Sequence, residues 1–263
     1  MKPPNKLFRV RRQRIEDGTR PPLGERSPTK AIQAVEEEYV RWREFLDFVE
    51  ERKHTRWVFR GCGSLLHKCQ PSAGRGPQYE LLYEVRVFRS FQQSAGLFID
   101  IVPTNDWDWL ALAQHHGVPT RLLDWTTNPL VAAFFAVSSG KPEEPAVIYA
   151  HRILDTEIID QAKRPDPFSI TDVGFLFPSR TVRRIVSQRG LFSAHPRPSD
   201  AWAPPGFEKH KFVIAAELRA RFRRRLFSLG IDDSHIWADL DGLCSTLKWQ
   251  YETRIGIGLP SLG

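Results

Sequence analysis

The chain has 263 residues, of which 41% are apolar and 26% charged, and its formal net charge is +7. This composition is that of a globular protein with a real core, and it excludes collagen, coiled coils and wholly disordered chains. No stretch approaches the roughly 18 consecutive apolar residues of a membrane span, and the N-terminus lacks the apolar segment of a secretory signal. We therefore expect a cytoplasmic protein that has no membrane partner.

The positive charge is concentrated in the first 30 residues. Residues 1–30 contain nine Lys and Arg against three Asp and Glu, so that residues 31–263 carry a net charge of only +1. Five prolines also fall in residues 1–30, and this composition predicts a flexible basic arm ahead of a folded domain over residues 31–263. The arm is either a solvated tail or a sequence-independent tether to nucleic acid.

Apolar residues at helical spacing predict helices, and short runs of branched and aromatic residues predict strands. In chain order, we predict a helix over 31–53, a strand over 56–61, helices over 79–91 and 106–116, a strand over 120–126, a helix over 130–137, strands over 146–150 and 212–216, and helices over 217–229 and 235–249. Asn128 followed by Pro129 is a strong helix start. Strands mixed with helices of unequal length, without a regular βαβ repeat, predict one α+β domain with small central β-sheets flanked by helices.

The common nucleotide, hydrolase and protease motifs are absent from the sequence. It contains no Gly-x-Gly-x-x-Gly, no Gly-x-Ser-x-Gly, no Walker Gly-Lys-Ser/Thr and no His-Glu-x-x-His. The three cysteines include no Cys-x-x-Cys pair. The adjacent histidines His115 and His116 would point about 100° apart on a helix. We therefore predict no metal site.

One polar and aromatic stretch, residues 114–127, stands out together with the upstream triplet Phe59-Arg60-Gly61. The sequence here resembles the FRG domain family, which is named for its Phe/Tyr-Arg-Gly motif. The segments that carry the resemblance are Val58 to Gly61, Trp109 to Gly117, Pro119 to Thr126, Ala132 to Ala136 and Gln188 to Phe192. The resemblance extends over roughly residues 40–250 and implies an FRG-like α+β domain.

The order of these segments also resembles, more distantly, the core of the ADP-ribosyltransferases. In that family an arginine on the first strand holds the phosphate and ribose side of NAD, a Ser or Thr shapes the nicotinamide pocket, and an acid on a later strand polarises the ribose. The resemblance implies NAD as a co-substrate, with Arg60 in the first role and Thr126 and Thr127 in the second. Gln188 stands where the acid is expected, and Glu217 is a less well placed substitute.

We expect these groups to meet in one cleft, because their motifs sit at strand and helix ends. An arginine followed by glycine at a strand end presents a planar fork of donors that suits phosphate. The predicted catalytic residues are Arg60, His116 and Gln188. The residues predicted to bind the nucleotide are Arg60, His115, Thr126 and Thr127.

Several of these polar residues also have a structural interpretation. Arg60 could pair with a surface carboxylate, and Asp124 could form an internal salt bridge with Arg121. The adjacent histidines could cap a helix end. The arginines of residues 219–225 cannot all lie on one helix face, so some would pack their stems against the protein, while the others form a solvated face or contact phosphates.

Two functions therefore remain open. The first is an enzyme that binds NAD or a related nucleotide and either transfers ADP-ribose or cleaves the glycosidic bond. Analogy with transferase toxins suggests a toxin or defence role for such an enzyme. The second is a non-enzymatic nucleotide- or nucleic-acid-binding module, in which the arm and residues 219–225 supply phosphate contacts.

Overall fold

A six-stranded antiparallel sheet forms the centre of the computed structural model, which describes residues 28–178, 188–204 and 206–256. The strands are β1 (Trp57–Cys62), β2 (Leu122–Thr126), β3 (Ala146–Arg152), β4 (Gly174–Leu176), β5 (Gly190–Ala194) and β6 (Lys211–Ile214). The α-helices within the described residues are α1 (Pro28–Glu50), α2 (Leu81–Ala95), α3 (Asp106–His115), α4 (Pro129–Ser138), α5 (Arg219–Ser228), α6 (Asp233–Trp237) and α7 (Leu240–Thr253). The predicted α+β class is therefore confirmed. None of the described helices has the length and apolar character needed to span a membrane.

The sheet is divided into two halves. Its strand order is β4-β5-β2-β1-β3-β6, and every neighbouring pair is antiparallel. β1 pairs with β3 along its whole length, and β2 pairs likewise with β5. Among the described residues, however, β1 and β2 share one residue pair only, Phe59 with Thr126. The halves β4-β5-β2 and β1-β3-β6 therefore meet at a single position.

Each half of the sheet has its own core on the helical face. α1, α4 and α5 pack against the β1-β3-β6 half through buried residues that include Phe45, Phe134 and Phe222. α2 and α3 pack against the β4-β5-β2 half through Phe88 and Trp107. A third core lies on the opposite face and joins both halves. Its buried residues include Val58, Trp125, Val147 and Phe175.

The structure differs from the predicted elements at three places. The predicted helix over 235–249 is two helices, because Ala238 has a φ of 53° and ends α6. The Asp239 side chain then accepts a hydrogen bond from the Gly242 N–H at 2.7 Å and begins α7. β4 and β5 both form between residues 155 and 209, where no strand is predicted. α1 begins at Pro28, so the predicted domain start falls inside this helix, and residues 1–27 of the predicted arm lie outside the described residues.

Arg121, immediately before β2, is buried and pairs with Glu84 of α2. Its Nε and Nη2 atoms donate to the two Glu84 carboxylate oxygens at 3.2 and 2.7 Å, and both side chains are almost fully buried. The Tyr79 hydroxyl donates to the same carboxylate at 2.7 Å. The proposed salt bridge between Arg121 and Asp124 is wrong, because the Arg121 guanidinium is paired with Glu84, and the Asp124 carboxylate lies beside Arg60 and Gln114. The buried pair instead ties α2 to the start of β2.

The substitution Glu84→Ala tests how much this ion pair contributes to stability. We expect it to lower the free energy of unfolding by about 3–5 kcal/mol, because Arg121 would remain buried as an unpaired charge. Urea unfolding of the full chain measures the effect. Glu80→Ala is the matched control, since Glu80 is exposed at the N-cap of the same helix and makes no capping hydrogen bond. Equally small effects of the two substitutions would contradict the structural role of the pair.

Candidate functional site

A cleft opens where β1 and β2 separate. Continuing their register beyond the pair of Phe59 and Thr126 would place Gly61 opposite Asp124. There the Arg60 side chain replaces a main-chain donor, because its Nη1 atom donates to the Asp124 carbonyl oxygen at 2.6 Å. Arg60 thus satisfies a strand carbonyl at the point where the two halves of the sheet separate.

The cleft has a volume of about 380 Å³ and is bordered by β1, β2, β5, α3 and α4. Its apolar lining residues are Phe59, Trp125, Phe135, Leu191 and Phe192. Its main polar lining residues are Arg60, Gln114, His115, Asp124, Thr126 and Gln188. A largely aromatic wall with a few converging polar groups is typical of a site for a small molecule.

Gly61 brings β1 into direct contact with α4. A Cβ atom at this position would lie 1.9 Å from the Ala132 carbonyl oxygen and 2.6 Å from the Ala136 nitrogen. Only a residue without a side chain allows this approach. In the triplet, Phe59 is buried in the core under α4, Arg60 borders the cleft, and Gly61 sets the distance between strand and helix.

Arg60 is held in a mostly buried position, with 14% of its side chain exposed. Burial lowers the pKa of its guanidinium, but the neighbouring Cys62, Cys69 and Asp124 side chains raise it, and the net direction is upward. Arg60 is therefore a cation at every physiological pH. Burial also raises the pKa of the Cys69 thiol to about 12, so that Cys69 is a neutral thiol and not a nucleophile.

Thr126 and Gln188 border the cleft, and both also make hydrogen bonds that hold its walls. The Thr126 hydroxyl donates to the Gln188 carbonyl oxygen at 2.6 Å and accepts from the Asn128 N–H at 3.0 Å. Asn128 caps α4, as its sequence position predicts. The Gln188 side-chain Nε2 donates to the Ile236 carbonyl oxygen at 3.1 Å. These bonds join the start of α4, the entry to β5 and α6.

Asp124 and Gln114 were not predicted as site residues, although both border the cleft. Asp124 is 64% exposed, and its Oδ2 atom accepts a hydrogen bond from Gln114 Nε2 at 3.0 Å. One signal in the sequence could have located Asp124. It lies two residues before Thr126, so the two side chains share one face of a strand.

Three of the residues weighed for the site lie away from the cleft lining. His115 borders the cleft, whereas His116 is exposed and is not among the lining residues, because successive residues at a helix end point in different directions. Thr127 is exposed, and its main-chain N–H donates to the Arg189 carbonyl oxygen. Glu217 lies exposed in the 3₁₀ turn Ala216–Leu218, also outside the lining.

Behind the cleft, the Trp125 side chain is held by two buried polar residues, Ser193 and His195. Its indole Nε1 donates to the Ser193 hydroxyl at 2.9 Å, and the Ser193 oxygen lies 2.8 Å from His195 Nε2. Burial lowers the pKa of His195 to about 3, and the charges of Arg60 and Arg121 add to this effect. A neutral His195 therefore helps to fix the tryptophan ring. Within the described ranges, no group of three or more His, Cys, Asp or Glu could hold a metal ion.

The arginine-rich residues 219–225 are mostly engaged in internal contacts. Arg219 is buried and donates to five carbonyl oxygens around the C-terminal end of α4, those of Gly63, Val137, Ser139, Lys141 and Glu144. The ion pairs of the segment are Arg221 and Arg225 with Glu38, and Arg223 with Asp233. These contacts secure α4 and α1, so more of the segment is engaged in the fold than the sequence interpretation of a mainly solvated face implies.

The substitution Gly61→Ala tests the contact between β1 and α4. We expect a loss of about 3 kcal/mol or more in unfolding free energy, because the added methyl group would overlap main-chain atoms of a helix held at both ends. The control is Gly76→Ala, where a Cβ would meet no atom within 4 Å and φ is −71°. Thermal unfolding of both variants measures the difference. A stable Gly61→Ala protein would show that β1 and α4 are not in this close contact.

Comparison with known proteins identifies one family over part of the chain. A family model of the FRG domain matches residues 55–145. No curated protein and no solved structure matches the chain. The matched segment contains β1, α3, β2 and α4, which supply Arg60, Gln114, Asp124 and Thr126 to the cleft. The chain therefore contains an FRG domain over residues 55–145, and most of the residues that line the cleft lie within this domain.

Proposed function

We propose that the cleft binds NAD or a related nucleotide and that the protein acts as an ADP-ribosyltransferase-like or NAD-cleaving enzyme. One observation carries the proposal. A permanently charged arginine stands at the split in the sheet, beside an aromatic-walled cleft of about 380 Å³. Such a site offers an anion contact and a ring contact to the same small molecule.

The phosphate contact is assigned to Arg60. The hydrogen bond from its Nη1 atom to the Asp124 carbonyl oxygen restrains the guanidinium, and the exposed part of the side chain borders the cleft. A guanidinium held in one orientation loses little entropy when it binds a phosphate. Arg60 is thus suited to bind the diphosphate of a nucleotide.

The ring contact is assigned to the aromatic wall. Phe135 of α4 borders the cleft and is only partly buried. The Trp125 side chain packs in the third core, where Ser193 holds it, and supports the cleft from behind. Aromatic side chains of this kind pack against a planar heterocycle such as nicotinamide or adenine. In this proposal Thr126 and Gln188 shape the wall, and His115 lies at its edge. His116 and Thr127 could contact only a ligand that extends beyond the residues lining the cleft.

The alternative function, a nucleic-acid-binding module, has less support in the described part of the chain. It requires free arginines in residues 219–225, yet Arg219 is buried and Arg221, Arg223 and Arg225 are paired with carboxylates. Nucleic-acid affinity would then depend on residues 1–30. A toxin or defence role would follow from the removal of NAD or the modification of a target, and it is part of the same proposal.

Calorimetric titration of the full chain with NAD, ATP and a short RNA tests the proposal. We expect NAD or ATP to bind, and Arg60→Lys to weaken that binding by roughly tenfold or more, because a charge-assisted hydrogen bond contributes about 1.5–3 kcal/mol. The matched control is Arg56→Lys. Arg56 precedes the same strand but pairs with Asp155 outside the cleft, and its substitution should leave the affinity unchanged. Binding of RNA alone, or equal nucleotide affinity in both variants, would contradict the proposal.

A further inference from the structure

We propose that Asp124 is the carboxylate that acts on the ribose of the bound nucleotide, and that Gln114 and Thr120 are positioning residues that hold it in place. This inference rests on the proposed function and deepens it. Among the described residues that line the cleft, Asp124 is the one carboxylic acid. It therefore supplies the negative charge that Gln188, at the position expected for the acid, does not have.

The Asp124 carboxylate is held although it is largely exposed. Its Oδ2 atom accepts the hydrogen bond from Gln114 Nε2 at 3.0 Å and lies 3.9 Å from Arg60 Nη1. The same Arg60 nitrogen holds the Asp124 main-chain carbonyl oxygen. An exposed aspartate without such contacts would change rotamer freely. Contacts to Oδ2 leave Oδ1 as the oxygen available to a ligand.

Thr120 determines which way the Gln114 amide faces. The Thr120 hydroxyl oxygen accepts a hydrogen bond from the Leu122 N–H at 3.1 Å and lies 2.6 Å from Gln114 Oε1. Because that hydroxyl already accepts from Leu122, its hydrogen is directed to Gln114 Oε1, and the amide nitrogen is left for Asp124. Thr120 is 1% exposed, so its own hydroxyl is shielded from water. The three side chains form a chain of hydrogen bonds that ends at the cleft.

The other candidate groups lack either the charge or the position. The Gln188 amide is neutral, and its nitrogen is bound to the Ile236 carbonyl oxygen. Glu217 lies outside the cleft lining. The Cys69 thiol is neutral because burial raises its pKa to about 12. A catalytic carboxylate with a fixed orientation stabilises developing positive charge without having to reorganise.

The proposed step is hydrolysis of the bond between C1′ of the ribose and the nicotinamide nitrogen. As this bond breaks, its electron pair passes to the pyridinium nitrogen, and nicotinamide leaves as a neutral molecule. Water attacks C1′, and its proton passes to the Asp124 carboxylate and then to solvent. One NAD and one water thus give nicotinamide, ADP-ribose and a proton. The Asp124 charge stabilises the oxocarbenium character at C1′, and the carboxylate acts as general base. In a transferase, an acceptor hydroxyl would replace the water.

The test measures nicotinamide release from NAD by the full chain, with NAD affinity measured separately by calorimetry. We expect Asp124→Asn to lower kcat by about 100-fold or more while NAD affinity changes less than about threefold. Formate should partly restore turnover in Asp124→Ala, because it returns a carboxylate to the cleft. Asp200→Asn is the matched control, since Asp200 is an exposed aspartate paired with Arg197 away from the cleft.

A double-mutant cycle tests the positioning residues. Gln114→Ala should lower kcat by roughly tenfold in the wild-type background and have little effect in the Asp124→Asn background, because Gln114 acts through Asp124. Thr120→Val should behave like Gln114→Ala, and Thr120→Ser should restore most of the activity. Melting temperatures of all the variants show whether they remain folded.

Each outcome bears on a different claim. Wild-type turnover by a folded Asp124→Asn protein would overturn the inference, and so would a wild-type chain that binds NAD without cleaving it, although the binding proposal would then stand. Additive effects of the Gln114 and Asp124 substitutions would overturn the positioning role. Failure of the wild-type chain to bind NAD would defeat the proposed function and this inference together.

Discussion

The separation of β1 from β2 is the constraint on which the site depends. The two halves of the sheet share the pair of Phe59 and Thr126, and each half is covered by its own core on the helical face. The third core, on the opposite face, keeps the halves together. Strands that part expose main-chain groups that need partners, and the Arg60 guanidinium satisfies one of them at Asp124. The same arrangement opens the cleft and places a cation beside it.

α4 keeps this opening in shape because it is fixed at both ends. Asn128 and the Thr126 hydroxyl bond its first turn, and Arg219 binds the carbonyl oxygens around its last turn. Gly61 then lets β1 lie directly against the helix. Because Arg219 is buried where it binds these carbonyl oxygens, the arginine-rich helix α5 packs against the core.

Local signals in the sequence could predict a large part of the fold. The Asn-Pro helix start, the apolar strands and the absence of a βαβ repeat predicted the element order and the α+β class, because each depends on neighbouring residues. The partner of Arg121 could not be predicted in this way, since Glu84 lies 37 residues away and is brought near only by packing of α2. The break at Ala238 was missed for a related reason. Alanine favours helix, and the Asp239 cap that follows overrides this preference.

Less of the candidate site than of the fold could be predicted from the sequence. The Phe-Arg-Gly triplet and the Thr126 strand end predicted residues that border the cleft, because an arginine before a glycine and a hydroxyl before a helix start are recognisable locally. Which of two adjacent histidines borders the cleft depends on where α3 ends. The importance of Asp124 depends on strand pairing and on Gln114, ten residues before it. Both are properties of the assembled structure.

A crystal structure of the full chain with bound ADP-ribose would test the central claim most directly. The account predicts that the ligand lies between the two halves of the sheet, with its diphosphate at hydrogen-bonding distance, about 2.7–3.1 Å, from the Arg60 guanidinium and its ribose beside Asp124. An ADP-ribose molecule bound elsewhere on the protein, or a cleft left empty at saturating ligand, would contradict the account.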